Sequence, residues 1–137
     1  MKIRATKKSD FNQVVLLLEK VGLYGKHLTR IKFNGLVHRN HGFIFVAENN
    51  KKIVGTIFAC HDGGYYGYIY KLAVAPRFQR QKIGTTLVDT VLEKFKRKDI
   101  DWIFMHVKKH NIPSIKIFKN LGFGIRRTHY LMDNQIK

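Results

Sequence analysis

The segment Val74-Ala75-Pro76-Arg77-Phe78-Gln79-Arg80-Gln81-Lys82-Ile83-Gly84-Thr85-Thr86-Leu87 carries the most chemical information in the chain. A largely apolar run, Ile69 to Val74, is stopped by Pro76; a short basic loop follows, then Gly84 and a helical pattern. Strand, loop and helix in that order aim several backbone N–H groups at one point, with the positive end of the helix dipole behind them. Such a point holds an anion, best a phosphate or pyrophosphate. Other residue types offer less. The seven histidines show no spacing that implies a metal. Cys60, the one cysteine, excludes an internal disulfide and a cysteine-based metal cluster, and its strand-like surroundings read as core.

The elements that must position this loop follow from periodicity. Lys2 to Arg4 suits a short strand. Ser9 or Asp10 can cap a helix in which Phe11, Val14, Val15, Leu18 and Val21 recur at helical spacing up to Gly22. A second helix is predicted from about His27 to Arg39. Phe43 to Ala47 and Ile53 to Cys60 read as a hairpin about an Asn49-Asn50 turn, and Gly63-Gly64 turns the chain into a strand from Tyr66 to Val74. Leu87, Val88, Val91, Leu92 and Phe95 mark one face of the helix after the basic loop. Trp102 to Val107 is a strand, Asn111 caps a helix with Pro113 in its first turn, and a last strand is predicted from about Gly124 to Met132. The order β-α-α-β-β-β-α-β-α-β describes an α/β fold: a mixed, mostly antiparallel sheet with helices on both faces. Its length suits one domain over residues 1–137.

The formal charge of +17 favours acidic partners: nucleic acid, an anionic membrane surface or a polyphosphate cofactor. The lysines are spread along the chain, which equally describes a solvated surface. No signature of a helix-turn-helix, a zinc module or a single-strand reader is present, so nucleic acid is not the expected partner. No run reaches the ~18 apolar residues of a membrane span, and the start lacks a secretion signal. A reducing cytoplasm is the expected compartment.

Val74-x-Pro76 followed by Gln79-x-x-Lys82-x-Gly84 resembles motif A of the GNAT N-acetyltransferases, in which Gln or Arg is followed by two residues, Gly, one residue, and Gly or Ala. Asn111-x-x-Ser114-x-x-x-Phe118-x-x-x-Gly122-Phe123 resembles motif B, Asn-x-x-Ala/Ser-x-x-x-Tyr-x-x-x-Gly-Phe. Ile3-Arg4 and the strand opening Ile53-Val54-Gly55 also fit, and the resemblance covers nearly the whole chain. It implies a splayed pair of parallel strands around Val74 and Val107, with acetyl coenzyme A in the gap. The pantetheine arm would pair with backbone groups of Leu72 and Val74. The pyrophosphate would sit on the amides of Gln79, Arg80, Gln81, Lys82, Ile83, Gly84 and Thr85. Asn111 would steady the arm or the gap beside Ser114, and Phe118 would lie beside the thioester. An N–H near Leu72 or Ala73 would stabilise the oxyanion.

Three positions depart from the family's pattern. Lys82 replaces the first glycine of motif A and is expected in helical or bridge geometry. Phe118 replaces the tyrosine that often serves as general acid, leaving Tyr70, Tyr130 or water for that role. The glutamate that many members carry as base matches Tyr70 or Lys71, so Glu48, His61, Asp62 and His106 become the candidate bases, His106 lying nearest the presumed cleft. Tyr24, Tyr65, Tyr66 and Tyr68 fall in segments that line the acceptor side in the family. The resemblance therefore implies acetyl transfer from acetyl coenzyme A to a primary amine by a monomer or homodimer. The acceptor would be a small molecule or a protein N-terminus. The alternative is a non-catalytic acyl coenzyme A sensor, suggested by the missing tyrosine and glutamate.

Overall fold

A computed structural model describes residues 1–23 and 28–136. Five strands form one sheet in sequence order: β1 (Lys2–Ala5), β2 (Ile44–Asn49), β3 (Lys52–His61), β4 (Tyr66–Val74) and β5 (Trp102–Met105). The first four are antiparallel, and β4–β5 is the one parallel pair. The β2–β3 turn is centred on Asn50 and Lys51, both with positive φ, and Asn49 pairs with Lys52. The turn thus sits one residue later than the sequence suggests; two left-handed central residues match the twist of a hairpin.

Among the described residues four helices cover the sheet: α1 (Phe11–Lys20), α2 (Arg30–Arg39), α3 (Ile83–Arg97) and α4 (Ile112–Asn120). Helix α2 begins at Arg30, three residues after the expected start, behind Thr29, whose side chain accepts the Lys32 N–H at 3.2 Å. Residues His27 and Tyr24 lie outside the described residues.

Strand alternation divides the core in two. Phe45 and Ala47 face α3 with Ile57 and Ile69, against Ile83, Leu87, Val91 and Phe95. Ile44 and Val46 face α1 and α2 with Phe58, against Val14, Leu18 and Phe33. Each buried aliphatic or aromatic side chain contributes about 1.5–3 kcal/mol. Glycine sets the depth of α3: a Cβ on Gly67 would lie 2.6 Å from the Phe95 ring, and one on Gly55 3.1 Å from Leu87. At the far edge, Arg4 bridges Asp10 at 2.8 Å and Glu48 at 3.0 Å. Burial raises the Asp10 carboxyl, but the Arg4 and Lys7 N–H bonds outweigh it and hold it below its ordinary value.

The predicted strand from Gly124 to Met132 does not form. Residues 124–136 are exposed and belong to no strand, and the Arg126 guanidinium lies 5.6 Å from the Trp102 ring. The neighbouring β5 is only four residues long, so it offers little ladder to a sixth strand.

Candidate active site

The site begins where two parallel strands stop pairing. The β4–β5 ladder ends at Ile69 and Met105, while β4 runs on to Val74. The next β4 residue, Tyr70, is the extra one in a bulge against β3, whose register jumps from Ala59–Ile69 to Phe58–Lys71. A bulge bends and twists a strand, and this one sits where the strands part.

Ladder alternation fixes which backbone groups face the gap. The Ala75 N–H donates to Val54 O at 2.8 Å, so Ala75 and Ala73 turn their polar groups toward β3. Those of Leu72 and Val74 then point to the edge that β5 has left, and Gln79 Nε2 donates to Val74 O at 3.0 Å. Of the two oxyanion donors considered from sequence, Leu72 presents its N–H to the gap and Ala73 does not.

Beyond Pro76–Phe78, a single 3-10 turn, the basic loop uses left-handed backbone twice, at Arg80 (φ 69°) and Lys82 (φ 62°). The helical or bridge geometry expected for Lys82 is therefore corrected: the lysine keeps the conformation that suits glycine, at a cost of about 1–2 kcal/mol. Alternating hands turn successive N–H groups inward. Helix α3 has no side-chain cap. Thr86 N–H and Oγ1 both reach Lys82 O, at 3.0 and 2.8 Å. The Ile83, Gly84 and Thr85 N–H groups have no partner among the described residues, as helix ends leave them. Gly84 acts in packing: a Cβ there would lie 2.9 Å from Ile117 of α4 and 3.7 Å from Val74. An absent side chain thus lets α3 close on both walls of the gap.

On the other wall, Asn111 Oδ1 accepts the Ser114 N–H at 3.4 Å, so this oxygen is committed to its own helix. Phe118 is 3% exposed, packed edge-on against Phe123 at 5.2 Å. Its ring is part of the core.

The titratable residues separate clearly. Tyr68 of β4 hydrogen-bonds His106 Nδ1 just past β5, the rings 5.0 Å apart at 67°. Tyr70 stacks on Tyr68 at 5.8 Å, and its hydroxyl is buried with no partner among the described residues. Burial pushes both phenols above their ordinary pKa. Tyr68, Tyr70 and His106 are thus together, and Tyr130, 96% exposed on the C-terminal segment, stands apart. The other candidate bases have structural partners. Glu48 pairs with Arg4, His61 Nδ1 accepts the Gly63 N–H, and Asp62 accepts N–H bonds from Gly64, Tyr65 and Tyr66. Tyr68 as the partner of His106 is the residue that sequence reasoning missed. Its signal was two matched alternations, Tyr66-x-Tyr68-x-Tyr70 and Trp102-x-Phe104-x-His106, on neighbouring strands.

A hollow of about 330 Å³ adjoins this group, lined by Cys60, His61, Asp62, Tyr66, Tyr68 and Phe104. Burial raises the Cys60 thiol, disfavouring the thiolate. Among the described residues no helix is long and apolar enough to cross a membrane.

Residues 14–123 match the model of the Acetyltransferase (GNAT) family. N-alpha-acetyltransferase 30 of Dictyostelium discoideum is 34% identical over 82 residues, which are 58% of this chain and 44% of that protein. The chain thus spans less than half of this relative's length. Two solved structures share the fold. Arabidopsis thaliana Naa50 in complex with the bisubstrate analogue CoA-Ac-MVNAL has TM-score 0.76 and 22% identity, covering 91% of this chain and 83% of that one. An aminoglycoside acetyltransferase from an uncultured soil metagenomic sample, in complex with sisomicin, has TM-score 0.80 and 24% identity, covering 99% and 96%. With a parted parallel strand pair, an open amide cluster on α3 and a family match over most of its length, the chain belongs to the GNAT acetyltransferase family.

Proposed function

We propose that the protein transfers the acetyl group of acetyl coenzyme A to a primary amine by direct attack in a ternary complex. The observation that carries this reading is the unpartnered N-terminal turn of α3, Ile83 to Thr85, beside the outward edge of Leu72 and Val74. The fit is chemical: amides and basic side chains for a diphosphate, and the strand edge at Leu72, which β5 has left, for an amide-bearing arm.

Coenzyme A would supply an acyl thioester, so that a carbon–nitrogen bond forms as the carbon–sulfur bond breaks. The Leu72 N–H would donate to the charge growing on the carbonyl oxygen. His106, oriented by Tyr68, would take the amine's proton directly or through a water. The thiolate would leave and gain its proton from solvent, a step that needs no tyrosine at Phe118 because a thiol near pKa 8.5 is a fair leaving group. The raised Cys60 thiol argues against a covalent acyl-protein stage. Protein N-termini lead as acceptors, since the Dictyostelium relative is named an N-alpha-acetyltransferase; small amines are the second class.

A second reading, a non-catalytic acyl coenzyme A sensor, is favoured by the burial of Phe118 where a tyrosine would supply an acid. Thiol release from acetyl coenzyme A across a panel of N-terminal peptides and small amines decides between them. Turnover above the buffer rate supports transfer. Tight binding without turnover supports the sensor.

A further inference from the structure

Lys71 follows the bulge, on the stretch of β4 that has left β5. Its side chain crosses to the α1 side, where Nζ donates to the Leu23 carbonyl at 2.9 Å just past the end of α1. Ala73, two residues on and so on the same face of the strand, belongs to the core under α1 and α2. The ammonium therefore lies on the face opposite α3, the face that also carries Tyr70.

An ammonium has three donors, and this one has one acceptor among the described residues and no ion pair. Burial lowers its pKa below the ordinary lysine value, and the charged form has no counterion among the described residues. Among the described residues no carboxylate forms an ion pair with Lys71, not even Glu19 in the last turn of α1; Asp10 and Glu48 bind Arg4, and Asp62 the β3–β4 hairpin. No acidic residue lies between Gly63 and Pro76. A polycationic acceptor would meet a like charge here. An acceptor with a carboxylate beside its amine would meet a half-buried cation with donors to spare, and a charge-assisted bond in such a place is worth far more than at an open surface.

We infer that Lys71 is a specificity-determining residue that selects amine acceptors carrying a nearby carboxylate. The inference rests on the acyl-transfer reading of the same gap and names its substrate class. Two sources share this chemistry: a free amino acid, whose own carboxylate adjoins the amine, and a peptide N-terminus with Asp or Glu in second place.

The test is equilibrium binding to the protein saturated with coenzyme A, so that it does not depend on turnover. The probes are a Ser-Glu-initiated peptide against its Ser-Gln counterpart, and glycine against glycinamide. In the native protein one acidic member binds about 10- to 100-fold more tightly than its amide partner, and the pair that does so identifies the source. Lys71→Met brings that ratio close to one by weakening the acidic member alone, and Lys71→Arg preserves most of it. Equal affinities within both native pairs, tighter binding of spermidine than of either acidic probe, or a ratio unchanged by Lys71→Met would overturn the inference. Should Lys71→Met fail to fold, the native ratios and Lys71→Arg still decide. Absence of turnover with every acceptor would count against acyl transfer and leave these binding ratios standing on their own.

Discussion

Helices α3 and α4 begin on opposite walls of the same gap, and their first turns are built in opposite ways. In α4 each early donor is accounted for: Ile112 N–H reaches His110 O at 2.9 Å, Pro113 has no N–H, and Ser114 N–H reaches Asn111 Oδ1. In α3 the residue before the helix is a left-handed lysine, no side chain caps the turn, and three N–H groups have no partner among the described residues. A helix start normally finds a Ser, Thr, Asp or Asn. Placing Arg80, Gln81 and Lys82 there instead forgoes roughly 1 kcal/mol of capping and accepts left-handed strain. The contrast teaches that α4 closes its own terminus, while α3 leaves its first N–H groups without a partner among the described residues, the feature on which the proposed anion site rests.

The largest expected effect breaks the open end directly. Arg80→Glu with Lys82→Glu places two like charges against the incoming diphosphate and lowers affinity for coenzyme A by about a hundredfold or more, measured by calorimetry, with the melting temperature little changed. His106→Ala leaves that affinity in place and lowers kcat by about 10²–10⁴, read as thiol release under saturating cofactor and acceptor. Asn111→Ala probes the closed end. It costs about 1 kcal/mol of stability in denaturant unfolding and changes coenzyme A affinity less than threefold, well under the ~1.4 kcal/mol that a tenfold change represents. The smallest effect is Lys82→Gly. Relief of the left-handed strain of about 1–2 kcal/mol is largely offset by glycine's extra unfolded-state entropy of about 0.5–1 kcal/mol. Stability should rise by no more than about 1.5 kcal/mol, while the amides stay in place and cofactor affinity falls only by the loss of one ammonium.

Much of this was legible in the sequence because it rests on local rules. Pro76 ending a strand, Asn111 three residues before Ser114, and the apolar face Leu87-Val91-Phe95 each state a turn, a cap and a buried stripe without reference to the rest of the chain. What escaped depends on neighbours distant in sequence. Lys82 gives no sign of its left-handed backbone, since the conformation is imposed by fitting the loop between Val74 and α3. Gly84 reads as one of the amides beneath the pyrophosphate, yet the space its side chain would take is filled by Ile117, thirty-three positions along. The pairing of Tyr68 with His106 needs the register of β4 on β5, which no single strand encodes. The Gly124–Met132 segment has the composition of a strand but not a ladder to join, and strand propensity expresses its surroundings more than the chain itself.

The central claim is that the α3 terminus is open in order to hold the diphosphate of coenzyme A. Calorimetric titration of the protein with coenzyme A, side by side with the Arg80→Glu, Lys82→Glu variant, tests it most directly. The account predicts saturable one-to-one binding by the native protein, competed by pyrophosphate and nearly abolished in the variant. Native protein that takes up no coenzyme A at millimolar concentration, or a variant that binds it as well as the native chain does, would contradict it.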